Sequence, residues 1–272
     1  MRDVADDVLP PAAAHVWPKV VAALPAGAYL VGGTALAVRL AHRMSADLDV
    51  FVPARFDTGR VRRALERCGV LVVTQADADT TLNALLDGAR VQFLAAIGQR
   101  NLDHPDLFDG MPVAGIRDLL ATKLKVIGDR GELRDYVDVM TIERRTAHTI
   151  ELGLGYYAER YAVGAHHTSL THIVRAMVAF DDVADDPTIG DRADVERFFR
   201  ARHPAVVASL ASFDLTHGRL PPPAPLREAR PGAAATASRS RCAARTRAGT
   251  RCSFRARAGS RFCGKHDRRL PG

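Results

Sequence analysis

The sequence predicts an α/β fold of the mixed α+β kind, followed by a helical part, a flexible linker and a small cysteine-rich module. Between residues 29 and 95, short apolar runs alternate with helical patterns, which is typical of a mixed sheet with helices packed against it. Residues 116–145 show a helical pattern and residues 150–213 lack strand alternation, and after 217 the composition changes to that of a linker. The predicted domains are a core over 1–115, a helical domain over 116–217, a linker over 218–240 and a module over 241–268.

The elements of the core are predicted in chain order. Apolar side chains at helical spacing predict a first helix over 9–24. A short apolar strand at 29–31 runs into Gly32-Gly33, and a second helix begins near Thr34. The remaining pattern predicts a strand at 47–52, a helix at 57–68, a strand at 70–74 and two strands within 82–96 that a turn at Asp87-Gly88 joins.

The second half of the chain lacks strand signals. Residues 116–145 form one long helical pattern that Gly128 or Gly131 can interrupt, and several helices are expected over 150–213. Residues 220–240 hold PPPAP, PG and runs of Ala, Thr and Ser, the composition of a flexible linker. No stretch approaches the roughly 18 apolar residues that a spanning helix needs, and no signal peptide is recognisable. We therefore expect a cytoplasmic protein with no membrane partner.

Positive charge is concentrated near the end of the chain. The formal net charge is +7, but residues 239–269 hold eleven Arg and Lys against one acid, Asp267, so the remainder is slightly acidic. A compact cluster of cations favours contact with phosphates. A solvated basic tail without a partner explains the charge equally well.

Three of the four cysteines fall in that segment, in the spacing Cys242-x9-Cys252-x10-Cys263-x2-His266. Three thiolates and one imidazole supply the tetrahedral set that structural Zn²⁺ prefers, and four protein ligands leave no open position for catalysis. A segment with so few apolar residues needs a metal to hold its fold. We expect a structural zinc knuckle that binds RNA or, alternatively, protein; a basic tail with incidental cysteines is the simpler explanation.

The chemistry is expected in residues 30–52, LVGGTALAVRLAHRMSADLDVFV. Asp47 and Asp49 stand two apart on a predicted strand, so period-two alternation places both carboxylates on one face. Neighbouring carboxylates repel unless a cation lies between them, and Mg²⁺ at that point would also bind the phosphates of a nucleoside triphosphate. Upstream, Gly32-Gly33 leads into a helix N-terminus, which favours negative charge.

The run GGTALA…HRxSxDLDVF resembles the AbiEii-type nucleotidyltransferases, the toxin half of many bacterial toxin–antitoxin and phage-defence pairs. The later run ATKLKVIGDRGELRDYVDV is similar to the helical block of that family. The resemblance covers residues 10–145 and, more loosely, the helices that follow. It implies a polymerase-β-like nucleotidyltransferase core with a mixed sheet, a helical C-terminal part, and transfer of a nucleotide from a triphosphate (NTP) to a hydroxyl of RNA, tRNA foremost, or of protein.

The same resemblance implies the roles of individual residues. The catalytic residues are Asp47, Asp49, Lys123, Asp135 and Asp138, of which the first two hold Mg²⁺. The nucleotide-binding residues are Gly32, Gly33, Thr34, Arg43, Ser45 and Arg130. A cognate antitoxin, encoded elsewhere, is the implied protein partner.

One position departs from the usual pattern of nucleotidyltransferases. Many of them place a third acid on a later strand, where this sequence has Gln92, and a neutral amide cannot act as a carboxylate base. A non-catalytic nucleotide- or RNA-binding protein therefore stays open as an alternative, as does an enzyme that modifies protein. From the residues alone, the helix with Asp135 and Asp138 can equally be an exposed charged surface.

Overall fold

A computed structural model of the protein describes residues 8–164, 167–186 and 188–216. These residues form seven strands and eight helices. The strands are β1 (Tyr29–Val31), β2 (Leu48–Val52), β3 (Leu71–Ala76), β4 (Thr81–Leu86), β5 (Ala89–Ala95), β6 (Asp106–Phe108) and β7 (Met111–Val113). The helices are α1 (Pro11–Ala23), α2 (Gly32–Leu40), α3 (Thr58–Glu66), α4 (Ile116–Asp129), α5 (Leu133–Arg145), α6 (Ile150–Arg160), α7 (Thr168–Ala176) and α8 (Arg192–Thr216).

All seven strands belong to one sheet in the order β3-β4-β5-β2-β1-β7-β6. β2 pairs with β5 in parallel and β1 pairs with β7 in parallel, while the other neighbours are antiparallel. The predicted mixed α+β class is therefore confirmed. Because β1 and β2 lie in the middle of the sheet, the predicted glycine and carboxylate motifs meet near its centre.

Strand β2 shows why the centre of the sheet has one polar face. Leu48, Val50 and Val52 are buried, whereas the alternate residues Asp49 and Phe51 are only partly buried. Alternation with period two sends these two sets to opposite faces of the sheet. In β4 and β5, likewise, the apolar set is buried on the side that α1 and α3 cover. The polar set is left for a cavity on the other side.

Several predicted elements differ from the observed ones at their ends or in number. The helical pattern over 116–145 is interrupted at Gly131, one of the two predicted positions. This residue takes a left-handed φ of +52° between α4 and α5. β2 begins at Leu48, so Asp47 precedes the strand instead of lying on it. β6 and β7 were not predicted, since runs of three residues are too short to show alternation and β7 contains Pro112.

Arg160 joins the helical part to the sheet. Its side chain is fully buried and donates to the Tyr29 hydroxyl (3.1 Å), to the Arg100 carbonyl oxygen (2.8 Å) and to Asp118. Asp118 in turn accepts hydrogen bonds from the backbone N–H groups of residues 102 and 103. A buried charge is tolerated when it is paired and hydrogen-bonded, so this cluster fixes α6 and α4 against β1.

Two predicted segments lie outside the described residues: the linker over 218–240 and the module over 241–268 with Cys242, Cys252, Cys263 and His266. The division into domains stays a prediction. Within the described part of the chain, none of the helices is long and apolar enough to cross a membrane.

Candidate active site

The two predicted carboxylates open onto one cavity of about 670 Å³ on the polar face of the sheet. Asp49 lies in β2, opposite Val31 of antiparallel β1 on one side and Gln92 of parallel β5 on the other. Asp47 lies just before the strand and lines the same cavity. Gln92 therefore occupies the position in β5 directly beside Asp49.

The glycine pair after β1 makes room for the side chains of the site. Gly32 has a φ of +73°, and a Cβ atom there would lie 2.5 Å from Oδ2 of Asp49. A Cβ atom on Gly33 would lie 2.5 Å from Nη2 of Arg43 and 3.1 Å from Oγ of Ser45. Only glycine fits at either position without moving a charged group. The pair thus lets the Asp49 carboxylate and the Arg43 guanidinium approach the backbone closely.

Thr34 lies behind the cavity. Its side chain is fully buried, and its Oγ1 lies 2.5 Å from the carbonyl oxygen of Asp47 and 2.9 Å from Oγ of Ser45. These contacts tie the start of α2 to the loop that carries the carboxylates. Thr34 is therefore placed to position Asp47, while Ser45 lines the cavity itself.

Side chains of α4 and α5 form a cluster of buried charges next to the cavity. Lys123 Nζ lies 2.7 Å from both Asp135 Oδ1 and Asp138 Oδ2. Asp138 also accepts two hydrogen bonds from Arg43, at 2.8 and 2.9 Å, and contacts His42 Nε2 at 2.7 Å. Asp135 and Asp138 are 2% and 0% exposed. The alternative of an exposed charged surface is therefore wrong for both acids.

The cations in this cluster keep Asp138 ionised. Burial by itself raises the pKa of a carboxyl, but Lys123, His42 and Arg43 outweigh it and hold the pKa of Asp138 well below its ordinary value. Burial likewise acts to lower the pKa of Lys123, yet Asp138 and Asp135 outweigh that effect and the pKa of the ammonium is raised. Both oxygens of Asp138 are occupied, so its role in this arrangement is to orient the cations.

Asp135 differs from Asp138 in having a free oxygen. Its Oδ1 pairs with Lys123, whereas Oδ2 is buried with no hydrogen-bond partner among the described residues. Asp135 also lines the cavity. A buried acceptor without a partner is costly.

Asp49 has the electrostatic environment of a cation ligand. Burial raises the pKa of its carboxyl, and the negative charge of Asp47 raises it further, although Lys123, Arg134 and Arg130 act in the opposite direction. Mg²⁺ is usually held by one or two carboxylates together with substrate phosphates, and this pair fits that donor set. Within the described ranges, no group of three or more His, Cys, Asp or Glu side chains is arranged so that it could hold a metal ion.

Positive side chains line the wall of the cavity on the side of α4 and α5. Arg130 and Arg134 both pair with Glu132, at 3.3 and 2.6 Å, and both remain substantially exposed. On the strand side, Arg90 Nε lies 3.9 Å from Asp47 Oδ1. Sequence reasoning missed Arg134 and Arg90 as site residues. Two features of the sequence could have indicated them. Arg134 directly precedes Asp135 in the same helical block, and Arg90 lies two residues before Gln92 on β5, so period-two alternation places it on the same face of the sheet.

Nine of the eleven predicted site residues within the described ranges line this one cavity. They are Gly32, Gly33, Arg43, Ser45, Asp47, Asp49, Lys123, Arg130 and Asp135. The other two, Thr34 and Asp138, contact members of that set from behind. Residues more than 100 positions apart along the chain are therefore brought to one site.

Known proteins to which this chain is similar include a curated relative and two solved structures. A curated relative, an uncharacterized protein from Aquifex aeolicus, is 27% identical over 162 residues, which cover 58% of this chain and 76% of the relative. Among solved structures, a protein from H. pylori assigned as a nucleotidyltransferase has a TM-score of 0.45 at 17% identity, covering 74% of this chain and 97% of its own. MenT4, a nucleotidyltransferase toxin from Mycobacterium tuberculosis, has a TM-score of 0.45 at 18% identity, covering 76% and 86%.

The model of one protein family matches residues 20–215, a range that contains every element from β1 to α7 and nearly all of α8. That range also includes all the residues of the cavity described above. The family is described as the nucleotidyl transferase AbiEii toxin of type IV toxin–antitoxin systems. The chain belongs to this AbiEii family of nucleotidyltransferase toxins.

Proposed function

We propose that this nucleotidyltransferase moves a nucleotide from an NTP to a hydroxyl of an RNA acceptor, with tRNA as the first candidate. The hydroxyl oxygen bonds to the α-phosphorus, the bond between the α- and β-phosphates breaks, and pyrophosphate leaves. The observation that carries the proposal is one cavity in which a carboxylate pair, Asp47 and Asp49, faces a cationic wall of Lys123, Arg130 and Arg134. A triphosphate needs cations to bind it, and the reaction needs carboxylates close to the transferred phosphorus. The cavity supplies both.

The helix side of the cavity is proposed to hold the triphosphate. Lys123 is held by two carboxylates, which leaves the third donor of its ammonium for another acceptor. Arg130 and Arg134 are tethered by the exposed Glu132, so a phosphate can replace that carboxylate at little cost. The chain thereby offers one fixed cation and two adjustable ones.

Asp47 and Asp49 would hold Mg²⁺, which, when bound, neutralises charge on the phosphates and stabilises the charge that develops during transfer. The raised pKa of Asp49 supports this proposal, because a carboxylate destabilised by burial and by a neighbouring acid gains most from a cation. Gly32 keeps the Asp49 carboxylate against the β1–α2 turn, and Thr34 holds the backbone of Asp47.

Asp135 is our candidate for the group that receives the proton of the attacking hydroxyl. Its Oδ2 is buried, lacks a partner among the described residues and belongs to a side chain that lines the cavity. Asp138 has no free oxygen and is proposed to orient Arg43 and Lys123. The two acids thus divide the roles that the sequence could not separate.

The C-terminal module is proposed to be a structural zinc knuckle, with Cys242, Cys252, Cys263 and His266 as ligands. Its arginines would help to grip the RNA, and their contribution should weaken as salt increases. Metal analysis of the purified chain should find one zinc per chain and lose it in Cys252→Ser/Cys263→Ser. A full zinc content in that variant would contradict the ligand assignment.

The transfer is tested by incubating the protein with each α-³²P-labelled NTP, Mg²⁺ and total cellular RNA. We expect label on a discrete RNA band and none in Asp47→Ala/Asp49→Ala. Expression of the active chain should arrest growth, and the partner proposed from the family, an antitoxin, should relieve the arrest. Label on polypeptide instead of RNA would overturn the acceptor, and NTP binding with no transfer to either would favour a binding protein.

A further inference from the structure

A row of three amide side chains crosses the open face of the sheet next to the carboxylates. Gln92 Nε2 donates to Asn83 Oδ1 at 2.7 Å, and Asn83 Nδ2 donates to Gln75 Oε1 at 3.0 Å. These residues sit on β5, β4 and β3 at matching register, and Asp49 of β2 continues the same row. The row therefore runs from the edge of the sheet to the proposed reaction centre.

The hydrogen bonds along the row fix how the amides face the cavity. Each amide carries one acceptor oxygen and two N–H donors, and the chain of bonds uses only some of them. Among the described residues, the oxygen and second N–H of Gln92 and the second N–H of Asn83 have no further hydrogen-bond partner. Asn83 and Gln92 line the cavity, whereas Gln75 lies beyond it. Two oriented amides thus present free donors and an acceptor beside Asp49.

The surroundings of the row differ from the cationic wall opposite. Arg90, with 70% of its side chain exposed, is the next residue along β5 on this face. Leu85 and Val72, paired on β4 and β3, are exposed apolar side chains on the same face. The amides can hydrogen-bond to the edge of a nucleobase, the apolar surface can contact the flat face of the base, and the arginine can bind a backbone phosphate.

We propose that the amide pair Asn83–Gln92 binds the terminal nucleoside of the RNA acceptor and, with Arg90 on the preceding phosphate, directs its hydroxyl towards the carboxylates. This inference rests on the proposed function and deepens it. The reasons are the register of Gln92 beside Asp49 and the separation of this wall from the triphosphate cations. Gln92, which cannot replace the missing third acid as a base, thereby gains a role in positioning.

Steady-state kinetics test the assignment, with Asn101→Ala as a control because Asn101 is an exposed amide outside both the row and the cavity. Asn83→Ala and Gln92→Ala should raise the KM for RNA about tenfold, the loss expected for a hydrogen-bonded base contact, and should relax the choice of terminal nucleotide. The KM for NTP should stay within about twofold, since the triphosphate contacts are intact. An unchanged KM for RNA, or equal rises for both substrates, would overturn the inference.

A second measurement uses the unaltered full-length chain and so does not depend on whether a variant folds. A short single-stranded RNA ending in 4-thiouridine is irradiated with the protein and a non-hydrolysable NTP analogue, and the cross-linked peptide is identified by mass spectrometry. We expect the terminal nucleotide on residues 81–95, which form β4 and β5. Cross-links confined to α4, α5 or the basic tail would overturn the inference.

The two proposals fail in different ways. Label on RNA with cross-links elsewhere would leave the transfer standing and remove the acceptor site. Cross-links on β4 and β5 without labelled RNA would keep the subsite and remove the proposed transfer to RNA. Labelled protein with no cross-link on these strands would remove both.

Discussion

Replacing Asp138 with Asn tests whether the buried charge cluster is the structural centre of the site. Asp138 is fully buried and is the common acceptor for Lys123, Arg43 and His42. The substitution keeps the shape of the side chain but removes its charge, which leaves two buried cations with less compensation. Loss of one partner from a buried ion pair costs about 3–5 kcal/mol. Because Asp135 still pairs with Lys123, we expect a loss near 3 kcal/mol, the lower end of that range.

Urea unfolding of the two proteins at neutral pH measures this difference. Asp129→Asn is the matched control. Asp129 pairs with Lys125 on the exposed surface of α4, the helix that also carries Lys123, and such a pair contributes about 0.5 kcal/mol or less. A loss below about 1 kcal/mol in Asp138→Asn, equal to the control, would refute the picture of a cluster held by Asp138.

The pH dependence of the free energy of unfolding tests whether Asp138 stabilises the fold in its ionised form. The folded-state pKa of Asp138 is depressed, so its stabilisation is complete above the unfolded-state pKa of about 3.9 and is lost as the pH falls towards the folded-state value. The difference in the free energy of unfolding between the native chain and Asp138→Asn should therefore be constant from about pH 7 to pH 5 and shrink below about pH 4. A difference that grows on acidification would contradict the assignment.

Three further predictions concern the turn, the buried arginine and the metal. Gly32→Ala should abolish transfer, because the new Cβ atom would lie 2.5 Å from the Asp49 carboxylate. Gly88 has a similar φ and no neighbour within 4 Å, so Gly88→Ala should lower stability but keep activity. Equal transfer activities of the two variants would contradict the steric argument. Arg160→Met should lower the free energy of unfolding, measured in urea, by about 3 kcal/mol or more, because it leaves the buried Asp118 without its cationic partner. A loss under about 1 kcal/mol would show that the cluster is dispensable. As the pH is lowered, Mg²⁺ affinity measured by titration calorimetry should begin to fall at a higher pH than it would for an Asp of ordinary pKa. The reason is that the pKa of Asp49 is raised, so protonation of this carboxylate competes with the metal. An affinity that does not change with pH would contradict this prediction.

Local sequence determined the elements that carry the site. The alternation in residues 48–52, the glycine pair after β1 and the turn at Asp87-Gly88 depend on side-chain period and on backbone freedom. These are properties of a few consecutive residues, so a single sequence suffices to predict them. The resemblance of two motifs then identified most of the residues that line the cavity.

Tertiary structure decided which of the charged residues are buried and with whom. The polar stretch that contains Asp135 and Asp138 has the composition of an exposed helix, yet Lys123, Arg43 and His42, supplied from two other segments, compensate both acids. Burial of a charge depends on partners brought from far along the chain. Composition within one helix therefore cannot predict it.

The register between the strands also could not be predicted from the sequence. A strand pattern gives the face of a residue but not its neighbour, which hydrogen bonding between distant segments sets. Only the sheet shows that Gln92 lies beside Asp49 and joins Asn83 and Gln75 in one row. The sequence by itself thus determined the family, the fold class and the chemical groups of the site. The tertiary structure decided their pairing, because pairing is a long-range property of the folded chain.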